Sequence, residues 1–93
     1  MRRAYILIYN EEVGTRDQVK SYLDSLPEIL NWRTELPNSF LVISESDAND
    51  IATLMRRFTH DKGRFFVCEI PANNQGWLTK KMWRMINEKH LPE

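Results

Sequence analysis

Two uninterrupted apolar stretches, Ala4 to Tyr9 and Phe40 to Ile43, are the clearest feature of the hydrophobic pattern. Half-exposed strands alternate between apolar and polar residues, whereas strands buried on both faces are apolar throughout. The two stretches therefore predict the central strands of one small sheet. Each is followed by a polar break and a segment with helical periodicity, which indicates a strand-helix unit that occurs twice.

Apolar residues repeat at i, i+3, i+4 and i+7 in both helical segments, which marks one face of a helix. In the first they are Val19, Tyr22, Leu23 and Leu26, and in the second Ile51, Leu54, Met55 and Phe58. Thr15, with Gln18 three residues later, predicts a capping box for the first helix, and Ser46 or Asp47 can cap the second. A third helix is predicted from Trp77 to about Lys89. Its apolar side carries Leu78, Met82, Trp83, Met85 and Ile86.

Two further strands complete the sheet. Asn31 to Leu36 alternates between apolar and polar residues, as expected of an edge strand with one wet face. The turn residues Pro37 and Asn38 join it to the Phe40 strand. Arg64 to Ile70 is the fourth strand, and Pro71 ends it. The order predicts a single α+β domain over residues 1–93, a ferredoxin-like βαββαβ fold with an additional C-terminal helix and a four-stranded antiparallel sheet.

In this topology the fourth strand lies at a sheet edge, yet Phe65, Phe66, Val67, Cys68 and Ile70 put apolar groups on both of its faces. An exposed apolar edge strand invites pairing with another chain. Either the third helix covers the open sheet face or a second copy does, and both can hold together. We therefore expect a homodimer.

The composition is that of an ordinary soluble chain of 93 residues, with 42% hydrophobic and 28% charged residues and no net charge. Only six apolar residues follow Arg2 and Arg3, which is too short for a secretory core or a membrane span. The single cysteine, Cys68, fits a reducing compartment. These features predict a cytoplasmic protein with no membrane partner.

The charges are unevenly distributed, with a net charge of minus four up to Ala52 (five basic and nine acidic residues) and plus four from Thr53 onward (eight basic and four acidic). Exposed basic residues on helices can bind phosphates or an acidic protein groove. The candidate contact residues on the second and third helices are Arg56, Arg57, Lys80, Lys81 and Arg84. The alternative is that these residues are solvated helix charges, since phosphate-driven binding normally needs a net basic domain.

Catalytic and metal-binding patterns are weak. Nothing in the sequence orients His60 or His90 as a base for Cys68, which we expect to pack as a small hydrophobic residue inside its strand. The loop acids are explained as solvated residues or helix caps, and no calcium, zinc, dinucleotide or phosphate-loop motif is present. We therefore expect no small-molecule cofactor. Lys62 to Val67 partly matches the RNA-recognition-motif signature, but Arg64 and Glu69 replace its stacking aromatics, so Phe65 and Phe66 are expected in the core.

The predicted arrangement, the chain length and the first strand, Tyr5-Ile6-Leu7-Ile8-Tyr9-Asn10, resemble the small ferredoxin-like proteins related to the CRISPR spacer-acquisition dimer subunit, to VapD toxins and to SinR-like proteins. In that family an aspartate at the end of the first strand is the proposed metal ligand of a phosphodiesterase site. The matching residue here is Asn10, whose amide is a poorer ligand for a hard cation and offers no general base. Asn10 and Glu11 would then form a vestigial metal position with no bound metal, and we lean against an enzyme.

Three functions follow from these observations. The leading one is a non-enzymatic interaction module, a homodimer that binds a protein or a nucleic acid. The alternatives are a metal-dependent nuclease of the CRISPR spacer-acquisition subunit type, and an antitoxin-like or inhibitor protein whose acidic N-terminal half covers a basic partner.

Overall fold

The computed structural model describes residues 1–92 and contains one four-stranded antiparallel sheet and three helices. In chain order the elements are β1 (Arg3–Tyr9), α1 (Arg16–Asp24), β2 (Ile29–Arg33), β3 (Ser39–Ser44), α2 (Ala48–Thr59), β4 (Phe65–Glu69) and α3 (Lys80–Glu88). The strand order is β2-β3-β1-β4. The two apolar stretches are thus the adjacent central strands, which confirms the α+β, ferredoxin-like prediction with an extra helix.

One face of the sheet packs against α1 and α2. Alternate residues of β1, namely Tyr5, Leu7 and Tyr9, point to this face, because successive side chains of a strand alternate between its two sides. They pack with Phe40 and Val42 of β3 and with four helix residues, Val19, Leu23, Ile51 and Met55. This is the larger of two buried cores.

The opposite face packs against α3. Ala4 of β1 and the β3 residues Leu41 and Ile43 meet Met82, Met85 and Ile86 of the helix. The helical period of α3 therefore buries one stripe of side chains and leaves Lys80, Lys81 and Arg84 outside it. The predicted third-helix cover is present, but it lies over only part of this face.

The helix caps are largely as predicted. The Thr15 hydroxyl accepts a hydrogen bond from the backbone N–H of Gln18, whose side chain accepts one from Thr15 N–H, so the capping box is complete. Asp47, rather than Ser46, caps α2 by accepting from the N–H of Asp50 at 2.8 Å. These bonds satisfy N–H groups that the first helical turn leaves without a partner.

Two elements, β2 and the third helix, differ from their predicted bounds by more than one residue. β2 begins at Ile29 and ends at Arg33, instead of spanning Asn31 to Leu36. Pairing begins earlier because Ile29 lies opposite Ser44, whose hydroxyl donates to the carbonyl of Glu28 at 2.7 Å. It ends earlier because Glu35 turns back to bind the Arg33 guanidinium.

The third helix begins at Lys80 rather than at Trp77. The Thr79 hydroxyl accepts from the N–H of Met82, which fixes the helix start after residue 79. Trp77 remains in the preceding loop, fully exposed.

Candidate binding surfaces

A basic cleft of about 320 Å³ lies between the edge strand β2 and helix α3. Arg33 projects from β2, and Lys81 and Arg84 project from α3, so that three cationic side chains line one cavity. We call this cavity the β2–α3 cleft. It contains two of the five basic residues predicted from the sequence, Lys81 and Arg84.

The local sequence explains how these side chains converge. Along β2, Asn31 and Arg33 lie opposite Ile43 and Leu41 and share their side of the sheet, whereas Trp32 lies opposite Val42 on the other side. The Trp32 ring accordingly packs edge-on against Phe40, with ring centroids 5.5 Å apart. On α3, Lys81 and Arg84 are three residues apart and so share one side of the helix.

Two hydrogen bonds join β2 to α3 and its tail, one on each side of the cationic residues along the chain. On one side the Asn31 side-chain amide donates to the backbone carbonyl of His90 at 2.9 Å, which ties the C-terminal tail to β2. On the other side the Thr79 hydroxyl donates to a Glu35 carboxylate oxygen at 2.9 Å, which ties the start of α3 to the chain just after β2. Both hydrogen bonds hold the β2 edge against α3 and its tail.

Positive charge exceeds negative charge among the described residues in and beside this cleft. Glu35 binds the Arg33 guanidinium, and this hydrogen bond is the main reason that the pKa of Glu35 lies below its ordinary value. Glu88 lies 3.9 Å from Arg84 Nε, at the far limit of an ion pair. Within residues 1–92, Lys81 makes neither a hydrogen bond nor an ion pair. Among residues 1–92, three cations thus face two carboxylates.

Sequence reasoning missed Arg33, Asn31 and His90 as parts of this cleft. The alternation along β2 is a usable signal, since it places Arg33 on the side of the sheet that an amphipathic helix covers. The tail gives no such signal, because the chain reverses at Lys89, whose φ of 53° lies in the left-handed region that glycine normally occupies.

The remaining predicted basic residues lie elsewhere. Arg56 and Arg57 belong to α2 on the opposite side of the sheet. Arg56 lines a shallow depression beside β4, and Arg57 lies near Glu28 and Asp50. Lys80 is exposed next to the cleft without lining it. The five residues therefore do not form a single surface.

The other flank of α3 leaves an apolar surface on the same sheet face. Its members are Ile8 (49% exposed), Leu36 (46%), Phe66 (63%), Trp77 (100%) and the exposed Cys68. Beside them runs a groove of about 440 Å³ whose walls include Ile6, Leu78 and Trp83. We call this set the apolar surface.

Two core predictions are therefore wrong, those for Phe66 and Cys68. Both lie on the α3 side of β4, opposite Ile8 and Ile6, where the helix does not reach. Phe65, one residue earlier, points to the other side and packs against the α1–α2 core. Because the two phenylalanines face opposite ways, they cannot stack bases together.

Asn10, the position that the family resemblance assigns to a metal ligand, has a structural role. Its side-chain oxygen accepts a hydrogen bond from the N–H of Arg64 at 3.0 Å, and its own N–H donates to the Arg64 carbonyl at 2.9 Å. It thus joins the end of β1 to the start of β4. Glu11 and Glu12 are exposed beside it. In the described part of the chain, no three His, Cys, Asp or Glu residues are grouped so that they could hold a metal ion.

Comparison of the chain with protein-family models, with curated proteins and with solved structures finds no match. Among residues 1–92, no helix has the length and apolar character needed to cross a membrane. The two surfaces that flank α3 are therefore the candidate binding sites.

Proposed function

We propose that this domain is a non-enzymatic interaction module that works as a homodimer and binds an anionic partner, with nucleic acid favoured over an acidic protein. One observation supports both parts. Helix α3 covers only the middle of its sheet face, so it leaves the apolar surface on one flank and the basic cleft on the other. The first suits a second copy of the chain, and the second suits a partner rich in negative charge.

A second copy fits the apolar surface because this surface adjoins an open sheet edge. β4 is the last strand of the sheet and contains neither proline nor lysine, two residues that commonly protect exposed edges. The accessible surface of the chain is 6239 Å². A compact 11.1 kDa monomer would expose about 5,700 Å². This excess area is somewhat smaller than the area of about 800 Å² that each partner buries in a stable interface.

The charges beside this edge are also compatible with self-association. Arg64 precedes β4, and Glu69 ends it. Two copies of β4 that pair antiparallel place the basic end of each strand near the acidic end of the other, so opposite charges meet. An interface of this kind uses the same patch on both copies, as two-fold symmetric dimers do.

The compartment that we propose is the cytoplasm. Cys68 is exposed and has no second cysteine in the chain with which to pair. Such a thiol stays reduced in the cytoplasm, whereas an oxidising compartment would drive it to intermolecular disulfides.

Nucleic acid is favoured over an acidic protein because three cationic side chains, those of Arg33, Lys81 and Arg84, line one small cavity, and a nucleic-acid backbone carries a closely spaced negative charge on every phosphate. The planar guanidinium groups of Arg33 and Arg84 can bind phosphate oxygens with paired hydrogen bonds. Replacing Lys81 and Arg84 together by alanine should flatten the dependence of oligonucleotide affinity on salt, by about one unit of log-log slope for each phosphate that is no longer neutralised.

The matched control replaces Arg56 and Arg57 by alanine, which removes basic residues from the opposite layer. This pair should change the slope less than the α3 variant does. An unchanged slope in the α3 variant would remove those residues from the site. Magnesium-dependent cleavage of the oligonucleotide that Glu11→Gln abolishes would favour the nuclease alternative. Co-purification of one stoichiometric protein without nucleic acid would favour the antitoxin alternative.

A further inference from the structure

We infer that the β2–α3 cleft binds a phosphate monoester, the group found at the end of a nucleic-acid strand or on a free nucleotide. This inference rests on the proposed function and names the chemical group that the cleft recognises. The inference is based on the two hydrogen bonds beside the cleft and on the placement of the cationic side chains that line it.

Two hydrogen bonds that join β2 to α3 and its tail disfavour a polymer that runs along the cleft. Along the chain they lie on either side of the cationic residues, Asn31–His90 on one side and Thr79–Glu35 on the other. A nucleic-acid backbone continues in both directions from each phosphodiester, so it needs a groove that is open at both ends. A terminal phosphate needs only one entrance, and the cleft opens to solvent.

The charges favour a dianion over a single carboxylate. A phosphate monoester carries about −1.5 to −2 charges at pH 7 and three strong acceptor oxygens. A carboxylate has one charge and two oxygens, so it leaves more of the donors of Arg33, Lys81 and Arg84 without a partner. An acidic peptide would present its carboxylates along an extended segment, whereas the three cationic side chains line one small cavity.

Lys81 is the best donor for testing the site. Its ammonium group makes no hydrogen bond or ion pair within residues 1–92, although it lines the cleft and its charge contributes to the lowered pKa of Glu35. Its replacement therefore removes a donor to the ligand without breaking a contact that holds the fold. Lys80 lies next to it in sequence, is also exposed and does not line the cleft. The two lysines form a matched pair.

The experiment measures dissociation constants by calorimetry for three probes: adenosine 5′-monophosphate, a single strand of about ten nucleotides with a 5′-phosphate, and the same strand with a 5′-hydroxyl. We expect the phosphorylated strand to bind at least about tenfold more tightly than the hydroxyl strand, as one or two charge-assisted hydrogen bonds provide. Lys81→Gln should erase most of this difference, and Lys80→Gln should leave it within about twofold of wild type.

The other outcomes distinguish the strand end from the free nucleotide, and both of them from the alternative partners. Binding of the nucleotide as tightly as the phosphorylated strand would identify the free nucleotide as sufficient, and a much weaker nucleotide would identify the strand end. Equal affinity for the two strands would overturn the terminal-phosphate site while leaving the proposed function in place. Wild-type selectivity in Lys81→Gln, at an unchanged unfolding temperature, would also overturn the terminal-phosphate site. Competition by poly-glutamate at the same concentration as the phosphorylated strand would overturn it as well. Absence of binding by all three probes would contradict both proposals for nucleic acid.

Discussion

Gly63 packs against the loop that follows β1, and a larger side chain does not fit there. Its φ is +76°, and an added Cβ would lie 2.7 Å from the backbone nitrogen of Val13 and 2.8 Å from Asn10 Oδ1. The same turn brings the backbone of Arg64 to Asn10. The glycine and the asparagine together fasten the end of β1 to the start of β4, which is the edge that carries the apolar surface.

Gly63→Ala should destabilise the domain by about 2–4 kcal/mol, because it combines a disfavoured left-handed backbone with a clash against backbone atoms that cannot turn away. The matched control is Gly76→Ala, where the nearest atom to an added Cβ is Leu78 Cγ at 3.9 Å. We expect the control to change the free energy of unfolding by less than about 1 kcal/mol. Urea denaturation of both variants measures the difference, and similar stabilities for the two would contradict this role of Gly63.

The carboxyl group of Glu35 makes the charge beside the cleft, and the stability of the fold, depend on pH. Its pKa lies below the ordinary value of 4.5, first because Arg33 donates a hydrogen bond to it, and only in smaller part because of the charge on Lys81. A carboxyl with a lowered folded-state pKa stabilises the fold above pH 4.5, and this contribution is lost as the pH falls through the folded value. Arg33→Met should therefore raise the pKa of Glu35 more than Lys81→Met does. Carbon-13 NMR titration of the carboxyl measures both, and an unchanged pKa in Arg33→Met would exclude the ion pair.

At the scale of elements, the sequence predicts buried strands and helices well. It predicts less well the boundaries that a single polar side chain sets. The continuous apolar stretches of β1 and β3 define the sheet centre without further information, because no other environment accepts them. The start of α3 is different. The apolar period reaches back to Leu78, but the Thr79 hydroxyl decides the first turn, and a sequence offers many threonines that cap nothing.

Helix α3 depends on Thr79 more than on any other polar residue of its first turn. The hydroxyl caps the helix by accepting from Met82 N–H and also donates to Glu35 at 2.9 Å. No acidic residue is present in that turn to complement the helix dipole. Thr79→Ala should cost about 1–2 kcal/mol of stability and release the start of α3 from the cleft wall.

Thr79→Ser retains the hydroxyl and should recover most of that stability, whereas Thr53→Ala, on the exposed face of α2, should have little effect. Hydrogen exchange at the amides of α3 reads the local effect directly. Faster exchange confined to α3 in Thr79→Ala is the expected pattern. Protection equal to wild type would show that the cap does not hold this helix.

At the scale of the whole molecule, the two flanks of α3 determine what the domain can bind. The number of elements and their order can be predicted from the sequence, and so can Lys81 and Arg84. The partial cover of the sheet face cannot, because the length of a helix does not say where along a sheet it lies. For that reason the sequence predicts a core position for Phe66, although its side chain is 63% exposed.

Phe66→Glu should abolish self-association without unfolding the domain, because the side chain already faces solvent in the isolated chain and a carboxylate in the interface would be left without a partner. Thr53→Glu adds the same charge to the opposite layer and should leave the dimer intact. Circular dichroism establishes that both variants are folded. A Phe66→Glu variant that retains the dimer would move the interface away from β4.

The most direct test of the account is the molar mass of the wild-type chain by size-exclusion chromatography with light scattering over a range of concentrations. We expect a mass of about 22 kDa, twice the 11.1 kDa of one chain, that falls toward the single-chain value on dilution. A mass that stays at 11.1 kDa at the highest concentration reached would contradict it, because the apolar surface would then be exposed without a second copy to cover it.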